Sequence, residues 1–412
     1  MSWSVCGLQH VRADFVMIAR EADSGMAATC RQFNISRKTG YKWLTRYKKD
    51  GLAGLAVLSC RPHSSPLRLD GDVVVSLVEL HEQHGDWGPK KLLARLTRGG
   101  RHPDKVPSLA TVARLARRLG WTEPKGRGRP RRSMPVGPLT NAGQPNDVWT
   151  VDFKGWWRTK DGRRCEPLSI RDLHSRYILC LRPMARRSTE AVRQVFVEVF
   201  ERYGLPEIIR TDNGGPFASL TGPCGLTRLS AWWRSLGIRL ERIVPGHPEQ
   251  NGGHERMHGD IAREVESRPS ATAAEETERL ERWRIVFNVE RPHEALGMKV
   301  PGDVYRRLMR RPENVKPYHY PPGLDRRHVR RDGCIRFQGR NVYLSEALGK
   351  MEVGLERLGE NRWRVWYCDL AVSELEQTDG KILRRPVAET AAAGGTNCNP
   401  CPDNKVLPRC RS

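Results

Sequence analysis

A chain of 412 residues and 46.9 kDa has room for two or three domains of ordinary size, and 38% hydrophobic residues suffice for at least one substantial core. Lys and Arg number 71 against 47 Asp and Glu, a formal charge of +24 with a pI near 10.0, which favours a strongly anionic partner such as nucleic acid. No secretory pattern opens the chain, no apolar run approaches the roughly 18 residues that span a bilayer, and the 11 scattered cysteines read as thiols of a reducing compartment; a membrane protein and a disulfide scaffold are set aside, and a cytoplasmic protein is expected.

The first predicted elements are helices, through DFVMIAREADSG and then MAATCRQFNISRKTGYKWLTRYKKDGLAGL. Ser36 is placed to cap a helix that carries Tyr41, Leu44 and Tyr47 at spacings of three, with Arg37, Lys38, Lys42 and Arg46 around it. A short helix, a tight connection at FNIS and a basic second helix make a helix-turn-helix pattern over residues 1–65. After the break at CRPHSSPLRLDGD, a second helical set covers 66–122: DVVVSLVELHEQHG, WGPKKLLARLTRGG and PSLATVARLARRLGW. There Ser108 caps a helix whose Val112, Leu115 and Leu119 form an apolar stripe, while Arg114, Arg117 and Arg118 lie largely elsewhere. Two such units read a longer DNA site than one.

Residues 123–144 are rich in Gly and Pro and carry Lys125, Arg127, Arg129, Arg131 and Arg132, a linker able to track phosphates. From 145 to 305 the period changes. VWTVDFKGWWRT, EPLSIRDLHSRYILCLRPM, PEIIRTD and IRLERIVPG read as strands; STEAVRQVFVEVFERYG, GLTRLSAWWRSLG and GGHERMHGDIAREVESR read as helices, which together make a mixed α/β layer fold. Residues 320–388 alternate short strands with turns, the pattern of a small β-barrel, and 389–412 read as a disordered tail. Cys398, Cys401 and Cys410 in that tail lack a fourth ligand nearby for a zinc knot.

Asp152 lies inside the strand run VWTVDFKG, where a carboxylate is costly unless it is paired, hydrogen-bonded or metal-bound. Asp212 closes PEIIRTD before an Asn-Gly-Gly turn, and Glu255 stands near the start of the last helix of the same domain. A strand centre, a strand end and a helix start can converge, and three carboxylates can hold two divalent cations for phosphoryl transfer, Mg²⁺ or Mn²⁺ suiting them better than zinc. An Asx turn at Asp212 and a surface position for Glu255 are the plainer alternatives. The literal His-Glu-x-x-His of His254, Glu255 and His258 also invites a zinc protease, but it lacks a well-placed third ligand and leaves the basic helices unexplained.

Taken together, SRKTGYKWLTRYKKDGLAGL, WGPKKLLARL, WTVDFKG, TDNGGPF, PEQNGGHERMH and ERPHEALGMKVP resemble the transposases of bacterial insertion sequences that carry an integrase (DDE) catalytic core, relatives of the retroviral integrases. The resemblance implies a ribonuclease H-like core between N-terminal all-α helix-turn-helix domains and the small β-barrel. It places the catalytic and metal-binding triad on Asp152, Asp212 and Glu255, with two Mg²⁺ (or Mn²⁺) ions, and gives Asn213-Gly214 and Asn251-Gly252 as the family's Asn-Gly pairs. Glu249 stands where the family commonly has Gln, and TGPCGLTRLS lengthens the interval between the second and third acids.

The implied activity is binding of an element's terminal inverted repeats, followed by metal-dependent cleavage and strand transfer. Double-stranded DNA is the partner, a homo-oligomer the working assembly, and the nucleoid the location when DNA is bound. Arg256 and His258, beside Glu255, are further candidates for DNA contact. A repressor with an inactive core and a metal-dependent nuclease without joining activity are the alternatives.

Overall fold

The computed structural model describes residues 7–21, 25–57, 69–100, 106–122, 139–219, 222–244, 247–378 and 381–385. Lys125, Arg127, Arg129, Arg131, Arg132, Cys398, Cys401, Cys410 and the tail 389–412 lie outside the described residues. The chain divides into two compact units, Met1–Leu69 and Asp70–Ser412.

The first unit is helical: α1 (Gly7–Glu21), α2 (Met26–Gln32) and α3 (Arg37–Asp50). Phe15, Val16, Cys30 and Leu55 form its core. The hydroxyl of Ser36 accepts from the Thr39 amide at 3.2 Å, starting α3 as its sequence predicts. Gly40 lets α3 approach its neighbours closely, because a Cβ there would lie 2.7 Å from Cys30 Sγ and 2.9 Å from Phe15 Cζ. Leu44 and Tyr47 pack on this core, but Tyr41 is exposed. The apolar face of α3 is therefore narrower than a three-residue stripe and is shared with Trp43.

The second unit opens with α4 (Gly71–Gln83), α5 (Pro89–Arg98) and α6 (Leu109–Arg118). Ser108 caps α6 through the Thr111 amide, and Val112 and Leu115 are buried, whereas Leu119 is exposed because the helix has ended before it. Next come β1 (Val148–Phe153), β2 (Trp157–Arg158), β3 (Arg164–Cys165), β4 (Pro167–Asp172), β5 (Ile178–Pro183), α7 (Thr189–Tyr203), β6 (Ile208–Thr211), α8 (Arg228–Ser235), β7 (Arg239–Arg242), α9 (Gly252–Ile261), α10 (Ala273–Val289) and the single turn α11 (Pro301–Val304). The runs VWTVDFKGWWRT and EPLSIRDLHSRYILCLRPM each divide into two strands, since Gly155 and the LHSRY turn break them.

The core sheet has the order β5-β4-β1-β6-β7. β1 pairs antiparallel with β4 and parallel with β6, and β6 parallel with β7. Trp149, Phe196, Phe200 and Trp233 fill the layer between the sheet and α7 and α8. Each such phenylalanine contributes roughly 1.5–3 kcal/mol by leaving water. Met257, Ile261, Leu280 and Phe287 of α9 and α10 cover the other face against Ile178 and Leu181.

The last strands are β8 (Asp325–His328), β9 (Cys334–Phe337), β10 (Arg340–Tyr343), β11 (Glu352–Arg357), β12 (Arg362–Tyr367), β13 (Leu370–Thr378) and β14 (Lys381–Arg385). Among the described residues they do not close into the barrel that the sequence suggests: β14-β13-β12-β11-β8 is an open antiparallel sheet, and β9 and β10 form a separate hairpin. Ile335, Phe337 and Val342 of the hairpin cover the sheet's apolar face by packing with Val353, Leu355 and Val365. Side chains thus seal the core where strand pairing does not. The same core takes in Leu226 and Ala231, and the Tyr367 hydroxyl donates to the Ala231 carbonyl at 2.8 Å. The extra segment TGPCGLTRLS therefore carries part of the seat on which the β module rests.

Candidate active site

The register of β1 with β6 decides the first half of the site. Val151 lies beside Thr211 in parallel pairing, so Asp152, the next residue of β1, comes level with Asp212, the first residue past the end of β6. Parallel strands stand about 4.8 Å apart, and equal register sends both side chains to the same side. The consequence is electrostatic. The Asp152 carboxyl is pushed up to about 7, first by burial and then by the negative charge of Asp212, against the Phe153 amide, Arg187 and Asn251, which favour its ionised form. Among the described residues, Asp212 Oδ1 is buried without a hydrogen-bond partner.

Three neighbours hold this arrangement. Asn251, at the entry to α9, donates from Nδ2 to Asp152 Oδ2 at 3.0 Å. The Ser169 hydroxyl, opposite Asp152 on β4, donates to the Asp152 carbonyl at 3.0 Å and lies 3.0 Å from His258 Nε2. Arg187 is clamped to the buried Glu166, with Nε at 2.8 Å, and its guanidinium lies 4.6 Å over the Phe153 ring.

Glu255 stands differently. It is exposed on the first turn of α9, and among the described residues no three His, Cys, Asp or Glu side chains gather as a metal-holding group. The structure brings Asp152 and Asp212 together without Glu255. Within α9, Glu255 and His258, three residues apart, stand about 60° apart around the axis, and His258 is the one that meets Ser169. The two histidines of the protease-like motif are otherwise engaged: His254 Nδ1 lies 3.1 Å from Asn251 Oδ1, and His258 Nε2 meets Ser169. Burial, then Lys154 and Arg171, pushes His258 down to about 4.

Among the candidate DNA contacts, Arg37, Lys38 and Lys42 are exposed along α3, and Lys42 and Arg46 lie 5.4 and 5.2 Å from the Trp43 ring centre. Arg114, Arg117 and Arg118 are exposed on α6, and Arg256 is exposed on α9. Sequence reasoning missed Ser169, Arg187 and, on the strand beside Asp152, Arg171. The signal for Arg171 was present: it is a charged residue in PLSIRD, a strand whose six residues are all buried.

Comparison with known proteins agrees with this architecture. Residues 142–248 and 236–301 match models of an integrase core domain, and residues 12–56 and 39–116 match models of a homeodomain-like domain. The chain is 25% identical over 279 residues to the insertion element IS407 uncharacterized 31.7 kDa protein of Burkholderia multivorans, covering 68% of this chain and 93% of that one. It is 27% identical over 128 residues to the Gag-Pol polyprotein of baboon endogenous virus, covering 31% of this chain and 7% of the polyprotein. A simian T-cell lymphotropic virus intasome structure matches 76% of this chain and 96% of its own with 16% identity and a TM-score of 0.34. The protein thus has an integrase core preceded by homeodomain-like helical modules. Its sequence is similar to an insertion-element protein and to a retroviral polyprotein, and the family models that it matches in this region are those of the integrase core. Among the described residues, no helix is long and apolar enough to cross a membrane.

Proposed function

We propose that the chain is a DNA transposase that binds the terminal inverted repeats of a mobile element and catalyses strand cleavage and strand transfer at Asp152 and Asp212, with Glu255 as the third acid. One observation carries this reading: Asp152 on β1 and Asp212 just past β6 are near enough for the charge of Asp212 to push the Asp152 carboxyl up, and among the described residues Asp212 Oδ1 is buried without a partner. Adjacent carboxylates with an unsatisfied oxygen fit a hard divalent cation, for which Mg²⁺ or Mn²⁺ is the natural choice. Such ions, two per site, supply activation of the attacking oxygen and stabilisation of the leaving oxygen in phosphodiester chemistry.

The protein's own contribution is placement. Asn251 holds the Asp152 carboxylate, the β1–β6 pairing brings Asp212 level with it, and α9 carries Glu255 on its first turn. The exposed basic residues of α3 and α6 suit phosphate contact, and the homeodomain-like matches make double-stranded DNA the partner expected there. Joining two element ends calls for a homo-oligomer, and a chain with this partner works in the bacterial cytoplasm, on the nucleoid when DNA is bound. The domain limits read from the sequence, 1–65, 66–122, 145–305 and 320–388, are proposed for truncation work.

Purified D152N, D212N and E255Q proteins should lose cleavage and joining of duplex element ends in Mg²⁺ by a factor of about 10³ or more, while mobility shifts of the same ends stay nearly unchanged. Joining at the wild-type rate by any of them removes that residue from the mechanism. Cleavage without joining by the wild type would mark a nuclease, and end binding with neither step a repressor.

A further inference from the structure

On the strand beside Asp152, Arg171 is 3% exposed, yet no acid or carbonyl among the described residues holds its guanidinium. Its Nε is buried without a partner. Asp172, next in sequence, is not available, because its oxygens accept from the Asn146 amide at 2.6 Å, the Ser175 amide at 2.7 Å and the Ser175 hydroxyl at 2.5 Å. The tip of Arg171 abuts the first turn of α9: a Cβ on Gly253 would lie 2.8 Å from Nη1 and 3.3 Å from Nη2. That turn has no side-chain cap, since Asn251 is committed to Asp152 and His254.

More positive charge surrounds the same spot. Arg176, half-buried, and Arg256, exposed, have no ion-pair partner among the described residues, and both stand near enough to oppose the charge on Arg171. His254 Nε2 is buried and unpartnered there as well. Burial, then Arg176 and, less strongly, Arg256 push the Arg171 guanidinium down to about 9, with Asp172 opposing them. A buried, unpaired guanidinium beside two others and an uncapped helix N-terminus is strongly unfavourable as a purely structural device. The same set is well made for an oxyanion: a planar donor fork, a second charged donor, and helix amides that favour negative charge.

We propose that Arg171, Arg176, Arg256 and the first turn of α9 form a phosphate-binding site. Asn251, the residue just before that turn, also holds Asp152, so a phosphate bound here is positioned one helix turn from the carboxylate pair. The shared ligand chemistry is a tetrahedral phosphate oxyanion, from a DNA backbone or free in solution. The DNA source rests on the transposase reading; the anion site does not.

The test uses the full-length protein in EDTA, so that metal chemistry takes no part. Inorganic phosphate, titrated against potassium chloride at constant ionic strength, should raise the melting temperature of the wild type. R171M should lose that rise and should melt no lower than the wild type in phosphate-free buffer. R176N, in which Asn tolerates the left-handed φ of 64° at this position, should reduce the rise without disturbing the buried strand. In a second arm, fluorescence anisotropy of a duplex element end across a salt series should show both variants binding about tenfold more weakly, with the salt slope shallower by about one.

Loss in both arms assigns a DNA phosphate, and loss in the melting arm alone assigns a free phosphate. If R171M melts lower than the wild type in phosphate-free buffer and phosphate shifts all three proteins equally, Arg171 is structural and the site is refuted. D152N should keep the phosphate response whatever its joining activity, which separates this result from failure of the transposase reading.

Discussion

Arg171 and Arg291 are buried to the same degree, each 3% exposed, but they live in opposite surroundings. Arg291, just past α10, gives Nη2 to Asp260 at 2.7 Å and Nη1 to Glu264 at 3.0 Å, tying the end of α9 and the π-helical turn Ala262–Glu266 to α10. Arg171, at the beginning of α9, has no acid. The difference separates two uses of buried charge along one helix: the far end is neutralised within the protein and holds the fold, and the near end is left positive next to two acids that oppose each other's ionisation. On the readings proposed above, each uncompensated cluster would take a partner of opposite sign, a phosphate for the arginines and a divalent cation for the acids.

Removing Arg291 should therefore have the largest effect on stability. Arg291→Leu strands two partly buried carboxylates, of which, among the described residues, Glu264 keeps only the Trp283 indole at 2.6 Å and Asp260 only Arg263. Breaking a buried pair from one side typically costs about 3–5 kcal/mol, against little or no loss for an arginine that has no partner. Urea titration of R291L beside R171M measures the contrast. Equal destabilisation of the two would erase the distinction between holding charge and waiting charge.

His293 sharpens the same comparison at smaller scale. Burial first, then the positive charges of Arg291, Arg171, Lys91 and Arg176, push its imidazole down to about 3 from the ordinary 6.5. Below pH 6.5 the unfolded chain takes up a proton that the folded chain refuses until about pH 3. The contribution to stability is therefore complete above pH 6.5 and is lost progressively as pH falls towards 3, amounting to about 2–3 kcal/mol by pH 4.5. Melting curves should show H293N with a flatter acid limb than the wild type between pH 6.5 and 4.5. Phosphate bound near Arg171 should also flatten the wild-type limb, because an anion offsets part of the charge that His293 faces. A limb of unchanged slope in H293N would mean that other groups govern acid unfolding.

Much of this was legible from residue order. Asp152 stands out as a carboxylate in an apolar run, and Asp212 as an acid at a strand end; parallel register then brings them level. Ser36 and Ser108 announce their helices because capping is local chemistry. What depends on distant partners was not legible. The exposure of Tyr41 and Leu119, the open β module and the seat provided by TGPCGLTRLS are each settled by what packs against them. Arg171 shows the limit most clearly: PLSIRD reveals a buried charge, but only the spatial neighbours reveal that none of the described residues pairs with it. For Glu255, sequence gives the start of α9 and the helical phase; how near its carboxylate comes to Asp152 depends on the seating of that turn.

The smallest expected effect lies where α4 and α5 meet residues 290–303. Arg98 Nη2 donates to Asp303 Oδ1 at 2.8 Å, Lys90 to Glu294 at 2.5 Å, and Arg95 lies 3.5 Å from Glu290. These pairs differ from the Arg291 fork in their surroundings, since the Arg98 and Asp303 side chains are 43% and 32% exposed. Solvent screens such a pair to about 0–1 kcal/mol, and at 1 M salt, where the screening length is about 3 Å, little remains. A double-mutant cycle of R98Q and D303N should give a coupling in that range at low salt that fades at 1 M. A coupling of 3 kcal/mol that salt leaves untouched would place this contact with Arg291 among the charges that hold the fold, and would make α5 a rigid mount instead of a docking that ionic strength can loosen.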